Sequence, residues 1–532
     1  MSESRSQGAG RPDRSRPRRP RDEQRGGAPQ GGRRQGDRQQ SSGRQGGGPP
    51  QRQQRSRQKP SERAKRAEPA RFAAYTLLRA VAEGGYANLE FPAIIRRHRL
   101  DTRDAAFATE LGFGTLRMQG FYDAVIAAAA DRPTSRIDTG VLDVLRLGAH
   151  QLLGMRVPVH AAADQTVGLA RTVSGAGASG FVNAVMRRVS EATRDEWLAR
   201  VVPEGGGAAA LAVEYSHPEW VVTALRGALI GHGRATAEAV DTELRTLLEA
   251  DNTPARVSLV ARPGLASVDE LVQAGASASE TSPIGAVLSG GDPSGVTAVR
   301  ERRAAVQDEG SQLLALALAA VPVADGVPRR WLDLCAGPGG KSGVLGALAL
   351  EAGADLVAVE VSDHRADLVR STLEPITLRA KASGVSVEVR TADGREVGDA
   401  EPAAYGRVLV DAPCTGLGAL RRRPEARWRR QPGDLAQLGP LQRDLLRSAI
   451  DAVAPGGVVG YATCSPHPAE TTFVVRDVLK KRDDIEVIDA RPFFRDASGG
   501  ELHDLGDGPA VQLWPHVHGT DAMFLTLLRK KG

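Results

Sequence analysis

Apolar positions along the chain change period twice, and each change marks a different kind of element. From residue 67 to about residue 200 they recur at three- and four-residue spacing, as at Phe72, Tyr75, Leu78 and Ala82, and again at Val141, Leu142, Leu145 and Leu152. That period is helical and no strand-like alternation interrupts it, so the spacing predicts an all-α unit over 67–200. Asp101 with Asp104 reads as an N-cap followed by acid in the first turn, and Asp138 opens another helix. Residues 201–212 are rich in Gly and Ala and read as a linker. Over 213–305, a helical stretch running from Ser216-His217-Pro218-Glu219-Trp220 to Leu248 precedes a strand-like segment at 256–260, the pattern of a small α+β module. His217 reads as a helix-entry or packing residue.

From residue 306 to the end, short continuous apolar runs alternate with amphipathic helices. The runs lie at 331–334, 355–360, 385–390, 407–411 and 457–462. Buried parallel strands look like this, so 306–532 is expected to be an α/β, doubly wound, Rossmann-like domain with ligands at the carboxyl ends of its strands.

Composition changes the picture at the N-terminus. Residues 1–66 hold nineteen Lys and Arg against six Asp and Glu, a net of +13, so the overall +6 leaves the remainder at about −7. Such a segment has too few apolar side chains to offset its ordering entropy and is expected to be disordered. It suits either an RNA-tethering arm or a solubilising extension. No run of eighteen apolar residues occurs and Met1–Gly10 lacks a secretory signal pattern, so neither a membrane span nor export is expected. The three cysteines, Cys335, Cys414 and Cys464, are too few for a disulfide framework and fit a reducing cytoplasm. No metal site is expected.

Each cysteine lies in a motif. Leu332-Asp333-Leu334-Cys335-Ala336-Gly337-Pro338-Gly339-Gly340-Lys341-Ser342 is a Gly-rich turn between a strand and a helix, where backbone can approach a ligand. It is not a phosphate-binding P-loop, whose first glycine would fall at Cys335, nor a dinucleotide fingerprint, which would need glycine rather than Ser342. Glu360 ends the second strand, where an acid accepts hydrogen bonds from ribose hydroxyls, and Asp393 follows the third, within reach of an adenine amino group. Three such features along one sheet edge point to a nucleoside cofactor. Asp411-Ala412-Pro413-Cys414-Thr415-Gly416-Leu417-Gly418 ends the fourth strand and Tyr461-Ala462-Thr463-Cys464-Ser465-Pro466 the fifth, bringing both thiols toward one cleft. Ser465 reads as an N-cap and Pro466 as a first helical residue, a setting that stabilises a thiolate at Cys464. His467 reads as a first-turn packing residue. Six arginines and Trp428 crowd residues 421–430, and this run reads as a phosphate-gripping, base-stacking face.

The pairing of Pro413-Cys414 with Thr463-Cys464-Ser465 resembles the RNA cytosine-5 methyltransferases. From about residue 68 to 530 the chain is similar to the RsmB/Fmu (Sun) type, which methylates 16S rRNA, and Gly180-Phe181-Val182-Asn183-Ala184-Val185-Met186-Arg187-Arg188 resembles a motif of the NusB-like domains fused to it. Val306-Gln307-Asp308, Arg421-Arg422-Arg423-Pro424-Glu425-Ala426-Arg427-Trp428, Leu513-Trp514-Pro515-His516 and Gly519-Thr520-Asp521-Ala522-Met523-Phe524 match as well. Departures stand at Ser258, Thr471 and Gly337.

The resemblance implies S-adenosyl-L-methionine as cofactor, held by Cys335, Ala336, Gly337, Pro338, Gly339, Gly340, Lys341, Glu360, Arg365, Asp393 and Asp411. It implies Cys464 as the nucleophile toward cytosine carbon 6, Asp411 as a base contact, Cys414 as an aid to proton removal or product release, and Lys341 beside them. It also implies 16S rRNA as partner, with contacts from Arg421, Arg422, Arg423, Trp428 and Arg429, an RRM-like small module, and a monomer. Competing readings are a cytosine-5 methyltransferase of another RNA such as tRNA, a noncatalytic NusB-like RNA-binding or antitermination factor, and a DNA cytosine methyltransferase. The second predicts a degraded cofactor loop or a lost cysteine. The third relies on the Pro-Cys cysteine alone and has no need of Thr463-Cys464-Ser465.

Overall fold

The computed structural model describes residues 68–532; the expected disorder of residues 1–66 lies outside them. Eight helices come first: α1 (Pro69–Ala82), α2 (Ala87–His98), α3 (Thr102–Arg117), α4 (Gln119–Ala130), α5 (Thr139–Leu153), α6 (Val159–Ser174), α7 (Ala176–Val189) and α8 (Arg194–Val201). Their apolar stripes meet in one core that includes Leu77, Leu111, Phe121, Ile126, Leu145 and Met186. The caps fall where the sequence puts them. Asp101 accepts from Asp104 N–H at 2.8 Å and Asp138 from Val141 N–H at 3.1 Å.

The expected linker is helical in its second half. After the positive-φ glycines 205–207, α9 (Gly207–Glu214) forms because its alanines favour helix and Leu211 is buried. It packs with α10 (Glu219–Gly231) and α11 (Val240–Asn252) against Leu417, Leu420 and Trp514 of the C-terminal domain. His217 is buried at the entry to α10, as expected, with Nδ1 2.8 Å from the Tyr215 carbonyl. The small module proper is a four-stranded antiparallel sheet in the order β2-β3-β1-β4, with β1 Val257–Ala261, β2 Ala276–Ala278, β3 Gly285–Leu288 and β4 Ala304–Val306.

The C-terminal domain is built on β5 (Arg330–Asp333), β6 (Asp355–Glu360), β7 (Val387–Thr391), β8 (Tyr405–Asp411), β9 (Val453–Thr463), β10 (Ile485–Ile488), β11 (Val511–Gln512) and β12 (Phe524–Lys530). The order is β10-β12-β9-β8-β5-β6-β7, with β11 paired to β12. The five strands read from sequence are parallel, while β12 and β10 join antiparallel, so the sheet is mixed at one edge. Helices α12 (Glu309–Ala320), α13 (Gly340–Glu351), α14 (Asp363–Ser383), α15 (Pro432–Ala452) and α16 (Thr472–Leu479) cover both faces over two apolar cores. Strand order reverses between β5 and β8, and the crevice outside their carboxyl ends is where such sheets bind ligands. No helix among the described residues is long and apolar enough to cross a membrane, and no group of His, Cys, Asp and Glu among them could hold a metal ion.

Candidate active site

At the reversal point the turn after β5 meets the ends of β6 and β8. Gly337 N–H donates to Glu360 Oε2 at 3.0 Å, and a Cβ on Gly337 would stand 2.2 Å from that oxygen, so only glycine lets the carboxylate tuck against the turn. Glu360 Oε1 accepts from Ser362 N–H (3.1 Å), and Arg365 reaches across to the Gly337 carbonyl at 2.5 Å. Val361, 69% exposed, presents an apolar side chain beside the carboxylate, a feature the sequence reading missed. Asp393 sits beyond β7, where its carboxylate caps a short turn through Arg395 N–H (2.9 Å) and pairs with the Arg395 side chain. This donor set suits a nucleoside: acids for hydroxyls and amino groups, exposed backbone at a Gly-rich turn, and an apolar surface for a base. Cys335 is half-buried against it, and desolvation pushes its thiol well above the usual range, the mark of an inert cysteine.

The two remaining cysteines meet. In the β8–β9 register Asp411 lies opposite Ala462, and Ala412 N–H donates to the Ala462 carbonyl. The chains leaving both strands therefore stay together, and Cys414 Sγ comes to 3.4 Å from Cys464 Sγ. That contact, in which Cys414 acts as donor, holds the Cys464 thiol below its ordinary value; burial and Asp411 oppose it, and Lys341 and Arg423 assist. The same contact, with burial, drives Cys414 well upward. Of the pair, Cys464 is the one whose thiolate is favoured. Lys341, in the first turn of α13, donates to Asp411 Oδ2 at 2.8 Å. Burial works against its charge, but the Asp411 carboxylate keeps the ammonium above its ordinary range.

The surroundings correct one expectation. No helix begins at Ser465-Pro466; the chain stays extended, a short turn at Pro468–Glu470 is capped by His467, and α16 starts only at Thr472. The reason is tertiary: His232, the residue that ends α10, bonds the Pro466 carbonyl (2.8 Å) and holds the segment out. Thiolate stabilisation at Cys464 thus comes from neighbouring side chains rather than a helix terminus. Two positioning groups went unread in the sequence. Buried Glu470 accepts from Thr415 N–H (2.8 Å) and Oγ1 (2.5 Å), fixing the Cys414 loop. Gly418 donates to the Cys464 carbonyl at 2.9 Å so closely that a Cβ would stand 2.1 Å from the Ala522 oxygen. An acid inside an otherwise unremarkable Pro-Ala-Glu-Thr stretch is the only trace Glu470 leaves in sequence.

The arginine run read as a phosphate-gripping face has intramolecular partners for most of its members. Among its members only Arg423 is exposed. Arg421 donates to the Gly519 carbonyl, Arg422 pairs with buried Asp521, and Arg429 donates to the carbonyls of Val81 and Gly85 in the helical domain. Trp428 lies on α4, where a Cβ on Gly120 would be 2.4 Å from its ring. Arg427 is fully buried and donates to Asn252 Oδ1 (2.9 Å) and to the carbonyls of Arg117, Ser216 and Asp251. Glu425 accepts from Ala87 N–H at 3.1 Å. The run is a strap that binds the Cys414 loop to the helices. Burial lowers Arg427 to about 10 and raises Asp251 to about 7. Arg427→Ala is expected to lower unfolding stability by about 3 kcal/mol in urea titration, since it strands the carbonyls and the buried Asp251.

Comparison with known proteins follows this anatomy. The family model described as 16S rRNA methyltransferase RsmB/F matches residues 322–529, and that of the NusB family matches residues 68–191. A Mycobacterium tuberculosis protein named only as a methyltransferase is 48% identical over 469 residues, spanning 87% of this chain and 97% of its own. The ribosomal RNA small subunit methyltransferase B of Pseudomonas putida is 32% identical over 421 residues, 77% of this chain and 89% of its own. In structure, the crystal structure of PH0851 superposes with a TM-score of 0.70 at 19% identity, covering 87% of this chain and 99% of that one, a likeness of fold.

Proposed function

This chain belongs to the RsmB/F family of methyltransferases and carries a NusB-family domain, and from that premise we propose that it methylates carbon 5 of a cytidine in 16S rRNA. The observation that carries the reading is the Cys464–Cys414 pair, one thiol lowered and one raised, beside the Lys341–Asp411 ion pair. S-adenosyl-L-methionine, bound by the turn from Cys335 to Gly340 with Glu360, Arg365 and Asp393, supplies an electrophilic methyl group. Carbon 5 of cytosine is too weak a nucleophile unaided. Cys464 thiolate adds to carbon 6, which moves the electron pair of the 5,6 double bond onto carbon 5. Asp411 hydrogen-bonds the base edge and favours a proton at N3, drawing density off the ring as the adduct forms, while Lys341 fixes the Asp411 carboxylate. After methylation, the proton on carbon 5 passes to solvent with the help of Cys414, whose Sγ lies 3.4 Å from that of Cys464, the double bond re-forms and Cys464 leaves as thiolate. A paired cytosine would first have to be unstacked, so an accessible loop or junction is the natural target. The setting of such a reaction is cytoplasmic.

The experiment is incubation of the full chain with methyl-labelled S-adenosylmethionine and unmodified 16S rRNA, then nucleoside mass spectrometry. Label in 5-methylcytidine is the expected result. Label in another nucleoside would overturn the carbon 5 reading, and product only from a different RNA would overturn the substrate.

A further inference from the structure

One surface near the catalytic cleft is explained neither by folding nor by the chemistry above. Tyr86, at the turn before α2, is 42% exposed although two guanidinium groups lie near its ring, Arg423 at 5.5 Å and Arg429 at 5.2 Å from the centroid. Arg423 is also close enough to Cys464 for its charge to favour the thiolate. Next to Tyr86, α2 turns Leu89, 67% exposed, outward together with Pro92, Ala93, Arg96 and Arg97. The opposite face of α2 is buried through Phe91 and Ile94, and Glu425 holds its first N–H, so this surface is fixed relative to the catalytic loop.

We propose that Tyr86 and the outer face of α2 form a wall of the substrate site that holds an unpaired nucleotide flanking the target base. The chemistry is that of single-stranded RNA recognition: an exposed aromatic ring gives any base a stacking partner, a small apolar strip admits sugar and base edges, and the exposed guanidinium groups of Arg423, Arg96 and Arg97 meet phosphates. The wall belongs to the helical domain, and the strap from Arg421 to Arg430 keeps it at the mouth of the cleft. The helical domain on this view reads the strand around the target as well as anchoring the chain to RNA.

The inference rests on the reading of this chain as an RNA-modifying enzyme, and its test is separable from that reading. The full chain is titrated with two fluorescein-labelled twelve-nucleotide RNAs, an oligocytidylate and an abasic strand of the same length. Because both carry the same phosphate charge, the ratio of their affinities reports contacts to the bases, and its change in a variant reports the part that residue supplies. The wild type is expected to prefer the oligocytidylate by about tenfold. Tyr86→Ala is expected to bring that ratio near one, Tyr86→Phe to preserve it, and Leu89→Glu, on an exposed position that folding does not use, to reduce it. Affinity for S-adenosylmethionine and melting temperature should stay unchanged in Leu89→Glu. A ratio unaltered by both Tyr86→Ala and Leu89→Glu would overturn the proposal; if Tyr86→Ala does not fold, Leu89→Glu decides. Loss of the ratio in a chain that forms no 5-methylcytidine would leave the wall standing and sink the methylation reading.

Discussion

Cys464→Ala is expected to abolish methyl transfer, lowering the single-turnover rate on the order of 10⁴-fold or more, while affinity for S-adenosylmethionine and RNA stays within about twofold of the wild type. Without a thiolate at carbon 6 there is no route by which carbon 5 becomes nucleophilic, and no group near the site replaces it. Cys414 is close enough to try, but burial, which the substitution leaves in place, disfavours its thiolate. The pH profile carries the sign. The reactive form is the thiolate, so activity is present above the ionisation of Cys464 and lost as pH falls through it, with a midpoint below the ordinary thiol value. Lys341→Met removes a charge that favours the thiolate and is expected to move that midpoint upward. A Cys464→Ala protein that still makes 5-methylcytidine would remove the assignment outright.

The reactive edge of the sheet was legible in sequence for a physical reason. Strands buried on both faces must be continuous apolar runs, and β5, β6 and β8 each end in a residue that cannot continue the run: the Gly-rich turn, Glu360, and Asp411 before Pro413. Motif order along the chain then becomes position along one edge. What sequence could not show is where side chains find distant partners. Ser465-Pro466 carries every local mark of a helix start, yet a bond from His232, more than two hundred residues away, keeps that segment extended. The arginine run looks like a solvated basic face because composition cannot reveal that Arg427 donates to groups on three separate helices or turns, or that Arg422 neutralises Asp521. The Gly205–Gly207 stretch likewise masked the start of α9. Local propensity and charge count failed at these places because tertiary contacts outweighed them.

Cys414→Ala separates the two thiols by a different signature, and the expected outcome is accumulation of a covalent complex rather than simple loss of activity. Addition of Cys464 and methylation of carbon 5 need no proton from Cys414, so both proceed in the variant. The step that follows does need help: carbon 5 must give up its proton before the Cys464–carbon 6 bond can break. Loss of a positioned acid–base group slows such a step by about 10² to 10⁴. Turnover should therefore fall by that factor while a denaturation-resistant band of protein joined to RNA appears in gels, dependent on S-adenosylmethionine and absent in the Cys464→Ala, Cys414→Ala double variant. Glu470 adds a control, since it holds the Cys414 loop through Thr415 without facing the base. Glu470→Gln keeps one acceptor for that loop and should trap far less adduct than Cys414→Ala. If Cys414→Ala turns over normally and traps nothing, then the proton on carbon 5 leaves by another route and the role of Cys414 reduces to its hydrogen bond. In that case the variant's pH midpoint should rise, because the Cys464 thiolate would have lost the donor that most lowers it.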